Sequence, residues 1–278
     1  MSDTAGTSVE RQTALARPVD EKPDITERSL PIRVHLTELK RRLTWSVLVF
    51  ICTTVVAIIY YEPVFKFLMQ PAGESLNPTI EGKFVFNDVT EAWGAIAKVG
   101  IVVGLILGMP FFLLQVVLFL RPGLHPNERK MLYLLLPAGL ISFAGGVFFS
   151  YYVLLPPAIQ FLLGFASELA EPFIRIGSYV NLIVMLMFWM GLIFEIPLVM
   201  YFLARIGILK TRLLSRFRRW AYVLGFVLGA IITPTFDPVN QLLVAGPIIV
   251  MFEAGFLLAR LAERSRSKSA ARGLARAR

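Results

Sequence analysis

Two carboxylates stand alone among cations in this chain. Glu38 belongs to Glu38-Leu39-Lys40-Arg41-Arg42, just before the first long apolar run. Glu128 belongs to Arg121-Pro-Gly-Leu-His-Pro-Asn-Glu128-Arg129-Lys130, a polar break between two apolar runs. An ionised carboxylate is a pure acceptor and takes a guanidinium through two parallel hydrogen bonds. Lone acids in basic surroundings are therefore suited to hold the cations of a ligand. The plainer reading is that each acid neutralises the arginines beside it. On the residues alone both readings stand.

The elements that must position these acids are set by composition. The chain has 278 residues, and 56% are hydrophobic. Soluble domains run at about 45–50% apolar. Here the excess is gathered in blocks, which is the pattern of a membrane protein. Six apolar segments are expected as helices: 43–61, 96–120, 131–155, 180–204, 220–232 and 242–259. Crossing hydrocarbon about 30 Å thick takes about 20 helical residues. The last two segments are short, so they must thin the bilayer or let flanking side chains snorkel. A re-entrant hairpin is the alternative for that pair. The fold class is thus an all-α integral membrane protein with six transmembrane helices.

Lysine and arginine placement sets the orientation. Eight lie up to Arg42, three in 121–130, six in 205–219 and seven from Arg260 onward, together 24 of the 28 in the chain. That split puts both termini and both basic loops in the cytoplasm. The net charge of +9 is then topology and attraction to anionic lipid, with no call for nucleic acid. Residues 1–33 are expected to be a disordered cytoplasmic tail without a cleavable signal. Residues 34–261 form the membrane domain, and 262–278 a basic cytoplasmic tail. One cysteine, Cys52, excludes an intrachain disulfide and reads as a small buried hydrophobe. No phosphate-binding, dinucleotide-binding or zinc-protease motif is present, and no metal or cofactor is expected.

Several polar residues fall inside apolar segments. Glu195, in Phe194-Glu195-Ile196-Pro197, carries a charge costing on the order of 2.5–3.5 kcal/mol at a helix centre. It is either interhelical glue beside a proline or a contact for a substrate or partner helix. Gln115 is a weaker case, because a neutral amide finds partners easily. Glu253 is expected to be structural, snorkelling or paired with Arg260. Asp237 and Gln241 mark an outer turn, with Asp237 suited to cap the last helix. The segment Ile159–Phe165 is apolar on most faces and is expected along the outer membrane surface. The first outer loop, with Pro71, Gly73 and Gly82, is expected to cap the helices.

Short strings along the chain resemble one family, in order. His35-Leu36-Thr37-Glu38-Leu39-Lys40-Arg41-Arg42 resembles the HLxELRxR pattern of TatC, the multi-spanning subunit of the twin-arginine protein translocase. Glu91-Ala92-Trp93 followed by Lys98 is similar to that family's EAF…K. Gln115 to Arg129, with Phe119, Pro122-Gly123-Leu124 and Glu128, resembles QxxxFxxPGLxxxER. Phe194-Glu195-Ile196-Pro197, Thr233-Pro234 and Phe252-Glu253-Ala254-Gly255 resemble its later motifs. Lys40 stands where the family usually has Arg, Trp93 where it has Phe, and His125 where Tyr is common. Lys40 matters most, since lysine lacks the planar fork.

The resemblance implies a non-enzymatic receptor in a bacterial-type plasma membrane. It would bind twin-arginine signal peptides at its cytoplasmic face, and TatA- and TatB-type single-span partners would export folded cargo with it on the proton-motive force. A homo-oligomeric receptor complex is implied as well. The implied peptide site is Glu38, Glu128, His35, Leu36, Lys40, Phe119 and Pro122. Glu195 and Gln115 are then the intramembrane polar or partner contacts. The rival reading is a proton-coupled small-solute permease with Glu195 as its site.

Overall fold

The computed structural model describes residues 32–73, 89–121, 124, 126–164, 175–233 and 237–276. The expected disordered tail before Ile32, most of the first outer loop including Gly82, and Pro122 and His125 lie outside the described residues. The chain divides at Lys40. The described part of the first unit is the opening of one helix, and the second unit, Lys40–Arg278, holds everything else.

Every described element is helical. They are α1 (Ile32–Ile59), α2 (Tyr61–Gly73), α3 (Val89–Leu120), α4 (Pro126–Phe149), α5 (Leu155–Gly164), α6 (Ile176–Ile206), α7 (Thr211–Ile232) and α8 (Pro238–Arg276). Among the described residues, five stretches are long and apolar enough to cross a membrane: Thr37–Ile59, Thr90–Leu120, Met131–Leu162, Ile176–Ile206 and Pro238–Arg266. The segment expected over 220–232 sits in α7, whose first half carries Arg212, Arg216, Arg218 and Arg219. Those charges dilute an otherwise apolar helix. Three tryptophans are exposed: Trp93 near the start of α3, and Trp45 and Trp220 near the middles of α1 and α7, with Trp220 opening the apolar half of α7. Tryptophan favours the headgroup level of a bilayer.

The core sits around α6. Val180, Ile183 and Met190 have no exposed surface, and α6 packs against α3, α4 and α8. Hydrocarbon gives apolar helices little reason to associate, so close backbone packing has to hold them. Glycines provide it. Gly146 of α4 lies against Met190 and Gly191 of α6, where an added Cβ would come within 2.9 Å of the Gly191 Cα. On α3, Gly100, Gly104 and Gly108 recur every four residues, and a Cβ on Gly104 would come within 2.7 Å of the Thr54 Cα in α1. The other face of α1 is apolar and exposed, including Cys52, which is therefore not the buried hydrophobe expected.

Prolines leave carbonyls without donors, and the fold answers each differently. Pro71 removes the helical donor to the Phe67 carbonyl. The Tyr151 hydroxyl donates to that carbonyl instead, at 2.6 Å, with the two rings stacked at 4.4 Å. Tyr179 donates to the neighbouring Leu68 carbonyl at 3.1 Å, so α2 is fastened against the bundle. Pro156 and Pro157 would clash with the carbonyls one turn back, and there the backbone widens into a π turn, Ser150–Leu154. This turn joins α4 to α5 without a break. The described part of the segment expected along the membrane surface, 159–164, does not lie apart: it belongs to α5, which continues the third candidate span through Leu162, with Leu155, Ala158 and Ile159 buried; Phe165 lies outside the described residues.

Gly146→Ala should cost about 1–3 kcal/mol, because the backbone of α6 must move to admit a methyl group. Gly94→Ala, where an added Cβ meets nothing within 4 Å, should be neutral or stabilising by up to about 1 kcal/mol. Thermal melts of the purified protein in detergent check the pair, and equal shifts would refute the packing argument.

Candidate functional site

The loop between α3 and α4 is pinned at its centre. Leu124 is buried in a cluster with Val117, Leu132 and Phe202. Its amide donates to the Arg121 carbonyl at 3.3 Å, and its carbonyl accepts from Arg129 Nε at 3.2 Å. The Arg121 guanidinium lies over the Tyr133 ring at 5.8 Å. Two of the loop cations thereby serve the loop itself. Glu128 is the third residue of α4, after Pro126 in the first position. Proline suits that position because its missing N–H was unpartnered anyway. A carboxylate in the first turn is stabilised by the helix macrodipole. Phe119 is half-buried in the last turn of α3.

On α1, Glu38 is half-buried and Lys40 exposed. His35 and Leu36 lie one turn earlier on the same helix. The side chains of His35, Leu36 and Glu128 fall outside the described residues, as does Pro122 altogether. Arg42 Nη1 donates to Gln115 Oε1 of α3 at 3.4 Å. Gln115 thus meets a cation of its own chain at the end of α3.

Glu195 is buried in α6 beside Gly139 of α4. Its Oε1 has no hydrogen-bond partner among the described residues. Next to it, the Ser142 hydroxyl donates to the Phe194 carbonyl at 2.6 Å. Pro197 removes the helical donor to the Ile193 carbonyl. The middle of α6 therefore carries an acid and loosened backbone at one level. Buried polar atoms without partners are rare in native structures and call for an explanation.

Glu253 departs from expectation. It does not pair with Arg260. It receives Nε and Nη2 of Arg218 at 2.6 Å each, together with the Tyr222 hydroxyl. Arg218 also lies over the Phe256 ring at 5.7 Å. Arg218 and Tyr222 are one turn apart on α7, so both face α8. That spacing was the signal available in the sequence. At the other end of the pair, Asp237 Oδ1 accepts from the Asn240 amide at 2.6 Å and caps α8, with Pro238 in the first helical position. Gln241 Nε2 donates to the Phe226 carbonyl of α7 at 3.0 Å. These contacts make Asp237 and Gln241 parts of the α7–α8 turn.

These features define a multi-pass helical membrane protein with one acid buried within an apolar helix. The family model for TatC, the Sec-independent protein translocase protein, matches residues 34–247. The chain is 33% identical over 226 residues to the Sec-independent protein translocase protein TatC of Carboxydothermus hydrogenoformans, covering 81% of this chain and 91% of that one. It is 32% identical over 241 residues to the TatC of Aquifex aeolicus, covering 86% and 98%. A solved crystal structure of a twin-arginine translocase receptor, TatC, superposes with a TM-score of 0.74 at 33% identity, over 82% of this chain and 99% of that one. The chain belongs to the TatC family. That family is a protein translocase component, which gives the permease reading no support.

A double-mutant cycle of Arg218→Gln and Glu253→Gln should show coupling between the two positions, because each change strands a charged partner at the same contact. Melting of the four variants in detergent reads it. Strictly additive shifts would show that the two side chains act separately.

Proposed function

We propose that this chain is the receptor subunit of a twin-arginine translocase, binding the signal peptide of folded cargo at its cytoplasmic face through Glu38 and Glu128. Membership of the TatC family carries the reading, and the matched residues include both acids in their motifs. Each carboxylate takes one guanidinium of the twin-arginine pair. Each such charged hydrogen bond contributes about 1.5–3 kcal/mol. The pair selects the ligand, and burial of the peptide's apolar stretch against Leu36, Phe119 and Pro122 supplies the remaining affinity. Lysines in the ligand bring charge without the fork and are rejected. His35 and Lys40 complete the edge of the site.

The two termini and the basic loops lie in the cytoplasm on this reading. Positive charge on one side requires an even number of crossings, and α7 supplies the sixth. Its 22 residues reach about 33 Å, of which the apolar part from Trp220 covers about 20 Å. The arginines ahead of Trp220 snorkel to the interface. The locus is then a bacterial-type plasma membrane. Residues 1–33 and 262–278 are cytoplasmic tails flanking the membrane domain, and α8 continues as helix to Arg276.

The export machinery is completed by single-span partners of the TatA and TatB type, driven by the proton-motive force, with several copies of this chain in the receptor complex. Glu195 receives a polar residue of a partner span. Its unpartnered oxygen, facing the small Gly139, supports that role.

Glu128→Gln should leave insertion and accumulation intact, weaken binding of a twin-arginine peptide by about 10–100-fold, and abolish export of twin-arginine cargo. Peptide binding to the purified variant and cargo fractionation in cells test it. Normal export would sink the assignment. Cysteines placed beside Glu195 should crosslink to a partner's transmembrane helix, and a lack of adducts in exporting cells would remove Glu195 from that interface.

A further inference from the structure

Beside α2, the packing of α3 against α4 leaves a space of about 420 Å³. It is lined by Met109 and Pro110 of α3, Leu140 and Ala144 of α4, and Phe67 and Tyr152 at the α2 end. Every lining side chain except those of Tyr151 and Tyr152 is apolar. The volume falls in the range of small-ligand pockets, about 300–1,000 Å³. Ala144 stands on one wall between the larger Phe143 and Val147, and its small side chain leaves the room. The α2 end is firmly built. The Phe67 ring stacks on Tyr151 at 4.4 Å, and the Tyr151 hydroxyl donates to the Phe67 carbonyl at 2.6 Å.

A space of this kind needs an occupant. An empty one forfeits the dispersion contacts of its walls. Water does not fill it, because an apolar cavity offers water too few partners. In a membrane the candidates are a partner's helix and a lipid chain. A helix is about 10–12 Å across with its side chains, so 420 Å³ takes on the order of one turn of it. The Phe67–Tyr151 stack also closes the end through which a helix would have to continue. A hydrocarbon chain is far thinner and can lie lengthwise.

The length of the space fits that occupant. From Leu140 to Tyr152 the helical rise is about 18 Å. One leaflet of a bilayer contributes about 15 Å of hydrocarbon, half of the core thickness. Tyr152 stands at the end of this run, and tyrosine favours the interface with the headgroups. The other end, at Pro110 and Leu140, lies midway along α3 and α4. The space thus runs over the depth of a single leaflet and stops near its middle.

We propose that this cavity holds one acyl chain of a bilayer phospholipid, drawn from the leaflet on the α2 side. The chain completes the packing between α3 and α4 where their side chains leave it unfinished. The site is distinct from the peptide site and does not depend on that reading.

The test reconstitutes the full chain with a phosphatidylcholine that carries a diazirine midway along one chain. After irradiation, adducts are mapped by mass spectrometry while free lipid is stripped stepwise with detergent. Adducts at Met109 and Leu140 should outlast those at Ile51 and Val55, on the exposed face of α1. Ala144→Phe should cut the cavity adducts about tenfold or more and leave those on α1 unchanged. Ala144→Leu should give a smaller loss in the same direction, and it decides the matter where the phenylalanine variant fails to fold. Unlabelled phosphatidylglycerol of the same chains should compete as well as phosphatidylcholine, because the chain is what is held. Loss of cavity and α1 adducts together on stripping, or no effect of either Ala144 variant, would overturn the proposal. Competition by one headgroup alone would also overturn it, by placing recognition outside the cavity. Expulsion of the cavity adducts by a synthetic single-span peptide of the TatA type would assign the space to a helix and overturn the lipid chain.

Discussion

The fold depends on the backbone contact between Gly146 of α4 and the Met190–Gly191 segment of α6. In hydrocarbon, an apolar side chain gains little by leaving lipid for a neighbouring helix, so close packing and interhelical hydrogen bonds decide whether helices stay together. α6 is surrounded by α3, α4 and α8, and it carries the buried acid. Where α4 approaches this closely, Glu195 is shut against Gly139 and cannot drift toward water. The same separation lets Ser142 reach the Phe194 carbonyl. A wider spacing would admit lipid or water at that level and change what an acid can do there.

The acids of this chain show how environment divides one functional group into several roles. Glu253 is matched by a guanidinium and a phenol and serves to hold α7 on α8. Glu91 is spent on the start of α6. Glu128 is the third residue of α4. Glu195 has an oxygen with nothing to receive among the described residues. Glu253 and Glu91 are engaged within the chain as it stands; on the proposed reading the other two are the acids offered to partners.

Much of this architecture is legible in the chain because hydrocarbon imposes a coarse rule: long apolar runs, polar breaks, cations gathered on one side. The long apolar helices, the ordered TatC motifs and the α8 cap at Asp237 are visible that way. What escapes is settled by contacts between distant segments. Arg218 and Arg260 are equally plausible partners for Glu253 until the crossing of α7 and α8 is known. The run 159–165 looks like a surface helix because a helix apolar on all sides has no face to declare, yet its described part, 159–164, belongs to α5 and continues from α4. Cys52 looks buried because apolar neighbours surround it, although in a membrane those neighbours face lipid. The glycine spacing of α3 was readable, but only by asking where backbones touch. The proposed peptide site is the least legible, since Glu38 and Glu128 are chosen by motif and not by any mutual geometry.

The π turn at Ser150–Leu154 has a consequence for how one crossing serves two neighbours. A π turn holds about one residue more than an α turn, and a single residue rotates a helix face by about 100°. The stripe that α4 lays against α6 is therefore not the stripe that α5 presents to α2 and α8. One unbroken rod behaves as two differently keyed surfaces in series. It gains the geometry of a corner while the chain stays helical, where a loop at that depth would expose far more of its backbone to lipid.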